Sequence, residues 1–373
     1  MEKEKEDYIW VECDLNRIKN NYRIFSEYVS PAICSAVIKD DAYGLGANEI
    51  GNSLFKEGCR YFFVAYSDEA DSLAKSIWNK QNVFPSYEIG ENKYSLFVLN
   101  GPFLKNWCKS YEEQKYIPVL NTLQNIIDWN DYAKSIKTLL PAILHIDTGM
   151  RRLGLPYEEF VNLKKNDFEY IDLRFFMSHL VADSIVDHVA NKIQIEKVKQ
   201  IRNKFPDISF SLSATNGTLQ GAHMHHDMVR IGVGLYGFSN YLPGIKNGVK
   251  IYGKILQIQD AQPGEGIGYD WTFITKEEKR LATVSCGYAD GIIHAQNTVF
   301  KDFIIGGKSA PILGKVSMDL TIVDITNIGG VKVGDEAVIF GDEKQLQYLS
   351  KEDMLMKKFV SRLGKRIKYV YNI

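Results

Sequence analysis

The residues best suited to chemistry in this chain are a lysine, two arginines, a histidine and a tyrosine. Lys39 closes the apolar run in "SAVIKDDAYGLG" (35–46). A lysine in a strand interior is disfavoured, and a buried one must find a partner or lose its charge. Two uses fit it: an edge amine snorkelling to solvent, the commoner case for any single lysine, or an amine that forms a Schiff base with a carbonyl cofactor. Arg230 stands in "DMVRIGVGLYG" (227–237), where its close neighbours are apolar residues and glycine. Unpaired burial there would be very costly, so it is expected to face a polar site. In "HIDTGMRRLG" (145–154) the glycines allow a tight turn, and an arginine could hold a carboxylate with two parallel hydrogen bonds. A lone histidine in an apolar strand, as His179 is in "MSHLVAD" (177–183), is more often a satisfied core residue than a catalytic one. Tyr269 in "GIGYDWTF" (266–273) reads by itself as a cross-strand aromatic.

These residues need elements to position them. Eight short apolar runs recur: "SAVIK" (35–39), "YFFVAY" (61–66), "YSLFVLN" (94–100), "YIPVLN" (116–121), "AILHID" (142–147), "LRFFMSHL" (173–180), "FSLSA" (210–214) and "MVRIGVGLYG" (228–237). Segments of helical spacing separate most of them. Ahead of the first, "DLNRIKNNYRIF" sets Leu15, Ile18, Tyr22 and Phe25 on one face behind a possible Asp14 cap. Eight near-continuously apolar strands alternating with helices match a (β/α)8 barrel of the TIM type. A doubly wound sheet uses the same alternation, but the barrel fits the count better. On that reading Lys39 sits at the C-terminal end of a barrel strand, where catalytic groups collect.

Past residue 240 the runs alternate apolar and polar residues between glycine turns, which predicts a mainly antiparallel β domain. Little helix is expected before "SKEDMLMKKFVSRL" (350–363). The linker is "SNYLPGIKNGV", so the division is a barrel over 1–240 and a β domain over 241–373.

Composition excludes several classes. Lys+Arg of 45 against Asp+Glu of 46 leaves no electrostatic case for nucleic acid, so small molecules or proteins are the expected partners. The five cysteines, Cys13, Cys34, Cys59, Cys108 and Cys286, are scattered without a CxxC pair, as reduced cytoplasmic thiols would be. No apolar run is long enough to span a membrane, and the charged start "MEKEKEDYIW" lacks a secretory core. The "HMHH" cluster (223–226) lacks the further ligands of a defined metal site, and no metal is assigned.

Together with "VSCGYADG" (284–291) and "GKVSMDLTIVD" (314–324), the quoted segments resemble the bacterial alanine racemase family, in order from one end of the chain to the other. The resemblance implies a pyridoxal 5′-phosphate (PLP) barrel joined to a β domain, interconverting L- and D-alanine and supplying D-alanine for peptidoglycan. Racemisation needs a proton to leave one face of the α-carbon and return on the other. By resemblance Lys39 and Tyr269 are the two bases. A phenol of pKa about 10 needs help near neutral pH, which a Tyr269, His179, Arg230 relay would give. Arg230 would meet the pyridine nitrogen and, staying protonated, leave it largely unprotonated. Tyr43, His179, Asn216, Gly217, Arg230, Gly232 and Val233 would join Lys39 in binding the cofactor, with the Gly232 and Val233 amides on the phosphate. Arg152, Met318 and Asp319 would meet the substrate. In the family the tyrosine and the "SMD" segment reach into the neighbouring subunit, so a homodimer with shared sites is implied. Rival readings are a racemase of serine or a broader amino-acid set, and a non-catalytic PLP carrier.

Several positions depart from the family pattern. His145 stands where many members carry a carbamylated lysine that orients the arginine corresponding to Arg152. Gly217 replaces a usual serine, Asp40 and Asp41 an Ala-Asn pair, Leu45 a common histidine, and His294 a frequent arginine. Lys365 falls loosely at a position that in some members is a tyrosine on the phosphate.

Overall fold

The computed structural model describes residues 7–238, 242–291, 301–349 and 359–372. Its contacts divide it into two units, Lys19–Leu235 and Met1–Ile18 with Tyr236–Ile373. In the first, eight strands follow one another with every neighbouring pair parallel: Ile33–Val37, Tyr61–Val64, Lys93–Val98, Ile117–Leu120, Leu140–Asp147, Ile171–Met177, Ser209–Ser211 and Met228–Ile231. The eighth returns to pair with the first, Met228 opposite Ile33. A bridge from Ala214 to Arg230 joins the seventh to the eighth, with the Arg230 N–H donating to the Ser213 carbonyl at 2.9 Å. The sheet is thus nearly closed on itself, which an open doubly wound sheet is not.

The apolar runs are continuous because both faces of such a sheet are covered. Inside, Val37, Phe63, Phe97, Val119, Ile143, Phe175 and Met228 form one cluster. The intervening Ala36, Phe62, Leu96, Leu144 and Phe176 are fully buried as well. Helix Leu15–Val29 buries Leu15, Ile18, Tyr22 and Phe25. The Asp14 carboxylate accepts the Arg17 N–H at 3.0 Å, in the manner of a cap.

The second unit is mainly antiparallel. Its long strand Val249–Ala261 pairs with Ile9–Asp14, Lys279–Val284 and Glu336–Phe340. Strand Ile9–Asp14 also takes Lys368–Asn372 on its other edge, in parallel. The chain's first strand thus belongs to this sheet as well. Both hydrogen-bonding edges of that strand are satisfied there, a long-range pairing that its own sequence does not announce. A helix at Glu343–Leu349 was not expected. The expected helix over 350–363 lies mostly outside the described residues, as do His294 and residues 239–241 of the linker.

Candidate active site

The first barrel strand ends at Val37, and Lys39 opens the turn that follows. The next four residues are all left-handed: Asp40, Asp41, Ala42 and Tyr43 have φ of 54°, 49°, 56° and 62°. Such residues cost roughly 1–2 kcal/mol each, so the turn must be held from outside. The Glu69 carboxylate, on helix Ser67–Gln81, accepts the Asp40 N–H at 2.9 Å and the Ala65 N–H at 2.7 Å. Asp41 accepts the Ala47 N–H at 2.7 Å, at the start of helix Ala47–Lys56. Glu69 and the Asp41 carboxylate thus clamp the turn from its two ends. Around Lys39, burial and then Arg152 push the amine's pKa down, opposed by Glu69 and Asp40, and the net direction is down.

Arg230, on the eighth strand, is buried and has no carboxylate partner among the described residues. Its Nη1 donates to the Ser211 carbonyl and hydroxyl at 3.0 and 2.6 Å. Its Nη2 donates to the Ser178 and Leu212 carbonyls at 2.7 and 3.0 Å and to His179 Nδ1 at 3.2 Å. Burial lowers its pKa to about 9, which still leaves it charged at neutral pH. An arginine can only donate, so His179 Nδ1 is an acceptor and the ring's proton sits on Nε2. Burial, then Arg230, hold this histidine neutral, far below its usual range.

His145, on the fifth strand, is fixed in the opposite tautomer. Asn121 donates its two amide hydrogens to the Leu99 and Val119 carbonyls at 3.0 and 2.9 Å, so its oxygen must accept from His145 Nδ1 at 2.8 Å. His145 Nε2 is therefore a bare acceptor, and burial followed by Arg230 lowers the ring's pKa to about 3. A neutral imidazole stands where the family pattern often has a carbamate. Arg152 is exposed and makes no hydrogen bond or ion pair among the described residues. It is nonetheless near enough to depress Lys39, His145 and His179, which its neighbour Arg151 does not do.

A third group of residues surrounds Gly232. A Cβ added there would overlap the Tyr43 hydroxyl and come within 3.1 Å of Tyr43 Cζ, so the left-handed turn delivers that hydroxyl against the start of the loop after the eighth strand. The Gly232 and Gly234 N–H groups both donate to Thr215 Oγ1, at 3.2 and 3.3 Å, whereas the Val233 N–H makes no such bond. Asn216 and Gly217 follow Thr215 in the short helix Thr215–Thr218. At Gly217 a Cβ would stand 2.9 Å from Leu180 Cδ1 and 3.0 Å from Ser213 Oγ, too crowded for a serine without a shift.

Tyr269, Met318 and Asp319 belong to the other unit. Tyr269 opens a tight turn after Gly268, whose φ is 70°, and its side chain is 66% exposed. The "GYAD" and "SMD" segments are laced together: the Tyr288 N–H donates to the Ser317 carbonyl at 3.0 Å and the Ala289 N–H to the Met318 carbonyl at 2.9 Å. A side chain at Gly287 would collide with the Met318 carbonyl. Beneath them Arg366 grips the fully buried Asp290 carboxylate at 2.6 and 2.7 Å and reaches Asp319 at 2.6 Å. Lys365, its neighbour in sequence, has no hydrogen bond or ion pair among the described residues.

The alanine racemase N-terminal domain matches residues 13–240, and the alanine racemase C-terminal domain matches residues 249–371. The chain belongs to the alanine racemase family. It is 35% identical to an alanine racemase of Rickettsia canadensis (strain McKiel), over 88% of this chain and 89% of that protein. To the enzyme of Brucella ovis it is 30% identical, over 96% and 92%. Among solved structures, alanine racemase from Bartonella henselae with covalently bound pyridoxal phosphate superimposes with a TM-score of 0.86 at 30% identity, covering 98% of this chain and all (100%) of that one. The Acinetobacter baumannii enzyme, at 21% identity, shares the fold with the same TM-score.

Sequence reasoning missed residues that support the singled-out positions within each unit: Glu69, Asn121 and Thr215 in the first, Asp290 and Arg366 in the second. Thr215 lies within "SATNGTLQ" and Asp290 within "GYADG", so both were next to residues already singled out. Glu69, Asn121 and Arg366 act across long stretches of chain, and nothing local marks them.

Proposed function

We propose that this enzyme interconverts L- and D-alanine with PLP in active sites shared between the subunits of a homodimer. The observation that carries the reading is the charge pattern at the Lys39 end of the barrel. Two guanidinium groups, Arg152 and Arg230, act there on Lys39 and on two neutral imidazoles. Guanidinium groups so placed suit an anionic occupant, and a phosphate ester together with a substrate carboxylate supplies it.

The residues fit the cofactor. Among the described residues Arg230's Nη1 and Nη2 hydrogens are all engaged and Nε–H is not, so Nε–H is the one available to the pyridine nitrogen. The Tyr43 hydroxyl and the Val233 N–H would hold the phosphate, with Asn216 and Gly217 lining the same side. Gly232 serves by its lack of a side chain, its N–H being taken by Thr215. PLP, when bound, withdraws electrons from the amino acid's α-carbon and makes its proton acidic.

The chain's own residues do the rest. Lys39 Nζ holds the cofactor and, with burial and Arg152 lowering its pKa, serves as the base on one face. Tyr269 of the second subunit serves the opposite face. His179 Nε2–H, set by Arg230 on Nδ1, donates to the Tyr269 oxygen and stabilises its deprotonated form. Arg152 binds the substrate carboxylate, and the neutral His145 Nε2 takes the place of a carbamate as its acceptor. Met318 and Asp319 close the pocket and keep it small.

Shared sites have support in exposure. Tyr269, Trp271, Ile274 and Met318 show 66%, 67%, 54% and 54% of their surface to solvent, an apolar set that a second copy would cover. Five buried thiols suit a reducing cytoplasm, where D-alanine is made for peptidoglycan. No helix among the described residues is long and apolar enough to cross a membrane.

The test is α-hydrogen exchange of L- and D-alanine in deuterated water, with serine in parallel, for wild type and Tyr269→Phe. Exchange with inversion from both alanine enantiomers, strongly impaired in the variant, is expected. Faster turnover of serine would reassign the substrate, and PLP binding without exchange would leave only a carrier. Mixing inactive Lys39→Ala and Tyr269→Phe subunits should restore about a quarter of wild-type activity, because half the dimers then contain one intact site of two. No recovery on mixing would refute the shared site.

A further inference from the structure

Helix Val189–Lys204 follows the sixth barrel strand and presents Gln194, only 1% exposed, to the loop that carries His179. The Gln194 carbonyl oxygen accepts the Val181 N–H at 2.8 Å. Its amide nitrogen donates to the His179 carbonyl at 2.8 Å and to Thr148 Oγ1 at 2.9 Å. This orientation is forced, since a backbone N–H can only donate and a carbonyl can only accept. The chain continues from there: Thr148 Oγ1 lies 2.7 Å from Ser178 Oγ, which donates to the Ile146 carbonyl at 2.8 Å. With the serine hydrogen spent on Ile146, Thr148 must donate to Ser178, so every polar atom in the run has a defined role. One helical turn earlier, Asn191 accepts the Ala182 N–H at 3.2 Å and donates to the Ala182 carbonyl at 2.8 Å. From the other side Arg230 holds the Ser178 carbonyl at 2.7 Å and His179 Nδ1 at 3.2 Å. The backbone on both sides of His179 is thereby fixed, and only its Nε2–H is left to act.

We propose that Gln194 is a positioning residue for His179: its one amide locks the backbone around that histidine and so aims Nε2–H at the tyrosine base. It also ties this loop to the turn that carries Arg152, since Gly149 in that turn packs so tightly on Gln194 that a Cβ would lie 3.3 Å from Cγ. No other side-chain type does the same work at this position. Methionine keeps the shape but offers neither donor nor acceptor, and glutamate keeps the acceptor for Val181 while losing both donors.

The inference rests on the proposed role of His179, and the test separates the two. In the apoprotein, long-range 15N–1H spectra of 15N-histidine protein, with His179 assigned through His179→Gln, should show a neutral ring with its proton on Nε2. Gln194→Met should replace that signal with mixed or exchange-broadened tautomers, and Gln194→Glu, which supplies the answer if the first variant fails to fold, should do so in part. In holoenzyme, Gln194→Met should slow α-proton exchange on the face abolished by Tyr269→Phe by about 10-fold or more, relative to the opposite face. The acidic limb of the pH profile for exchange on that face should move up, because the phenol must be deprotonated to act as a base and has lost its partner. Identical His179 spectra in wild type and both variants would overturn the proposal. So would equal slowing on both faces with an unmoved pH profile, which would make Gln194 a structural residue only. If Tyr269→Phe changes neither face, the reading of His179 falls, while the apoprotein spectra still decide whether Gln194 holds the ring in place against Arg230.

Discussion

Gly232→Ala is a small change with a calculable effect. The glycine's φ is not in the left-handed region, so alanine is compatible with the backbone and only space opposes it. The added methyl would occupy the place of the Tyr43 hydroxyl, while the next atom, Tyr43 Cζ, would be 3.1 Å away. To restore an ordinary contact the hydroxyl must retreat by about 1 Å, beyond hydrogen-bond reach of a phosphate oxygen. A hydrogen bond to a charged group is worth about 1.5–3 kcal/mol, so PLP affinity should fall roughly 10- to 100-fold. Tyr43 is only half-buried, so the apoprotein's stability should change less than its PLP affinity. The assay is visible-absorbance titration of apoprotein with PLP, run as a double-mutant cycle with Tyr43→Phe. Phenylalanine alone should lose a similar affinity, and alanine added to it should cost less than about 3-fold, because the clashing atom is gone. Full additivity of the two losses, or a Gly232→Ala affinity equal to wild type, would refute the reasoning.

Two further outcomes follow from the same geometry. Arg366→Gln strips a fully buried Asp290 of its bidentate partner and should destabilise the second unit by about 2 kcal/mol, read by urea denaturation. It should also raise KM for alanine as Asp319 loses its anchor, and Arg366→Lys should not rescue it, lacking the planar fork. His145 is held neutral when folded, with its pKa near 3, against about 6.5 when unfolded. The unfolded chain therefore binds the extra proton, so the stabilisation is complete above about pH 6.5 and is lost as pH falls towards 3. By pH 5 this group alone should cost about 2 kcal/mol, and the urea midpoint of His145→Gln should fall less steeply with pH than that of wild type. Parallel profiles would contradict it.

The sequence by itself determined the barrel, because burial on both faces writes each parallel strand as a continuous apolar run and eight such runs can be counted. It also carried the chemistry-bearing residues, since a lysine at a strand end or an arginine among glycines and apolar residues is costly enough to need a reason. Tertiary structure alone decided the tautomers. His145 and His179 look alike in sequence, yet Asn121 puts the proton of one on Nδ1 and Arg230 puts that of the other on Nε2. It also decided that Asp40 and Asp41 belong to a left-handed turn clamped by Glu69, and that the first strand joins the second sheet. These outcomes depend on partners from 24 to more than 200 residues away in the chain. Apolar patterning is a local signal set by burial, whereas hydrogen-bond partnership is fixed only when the fold brings distant donors and acceptors together.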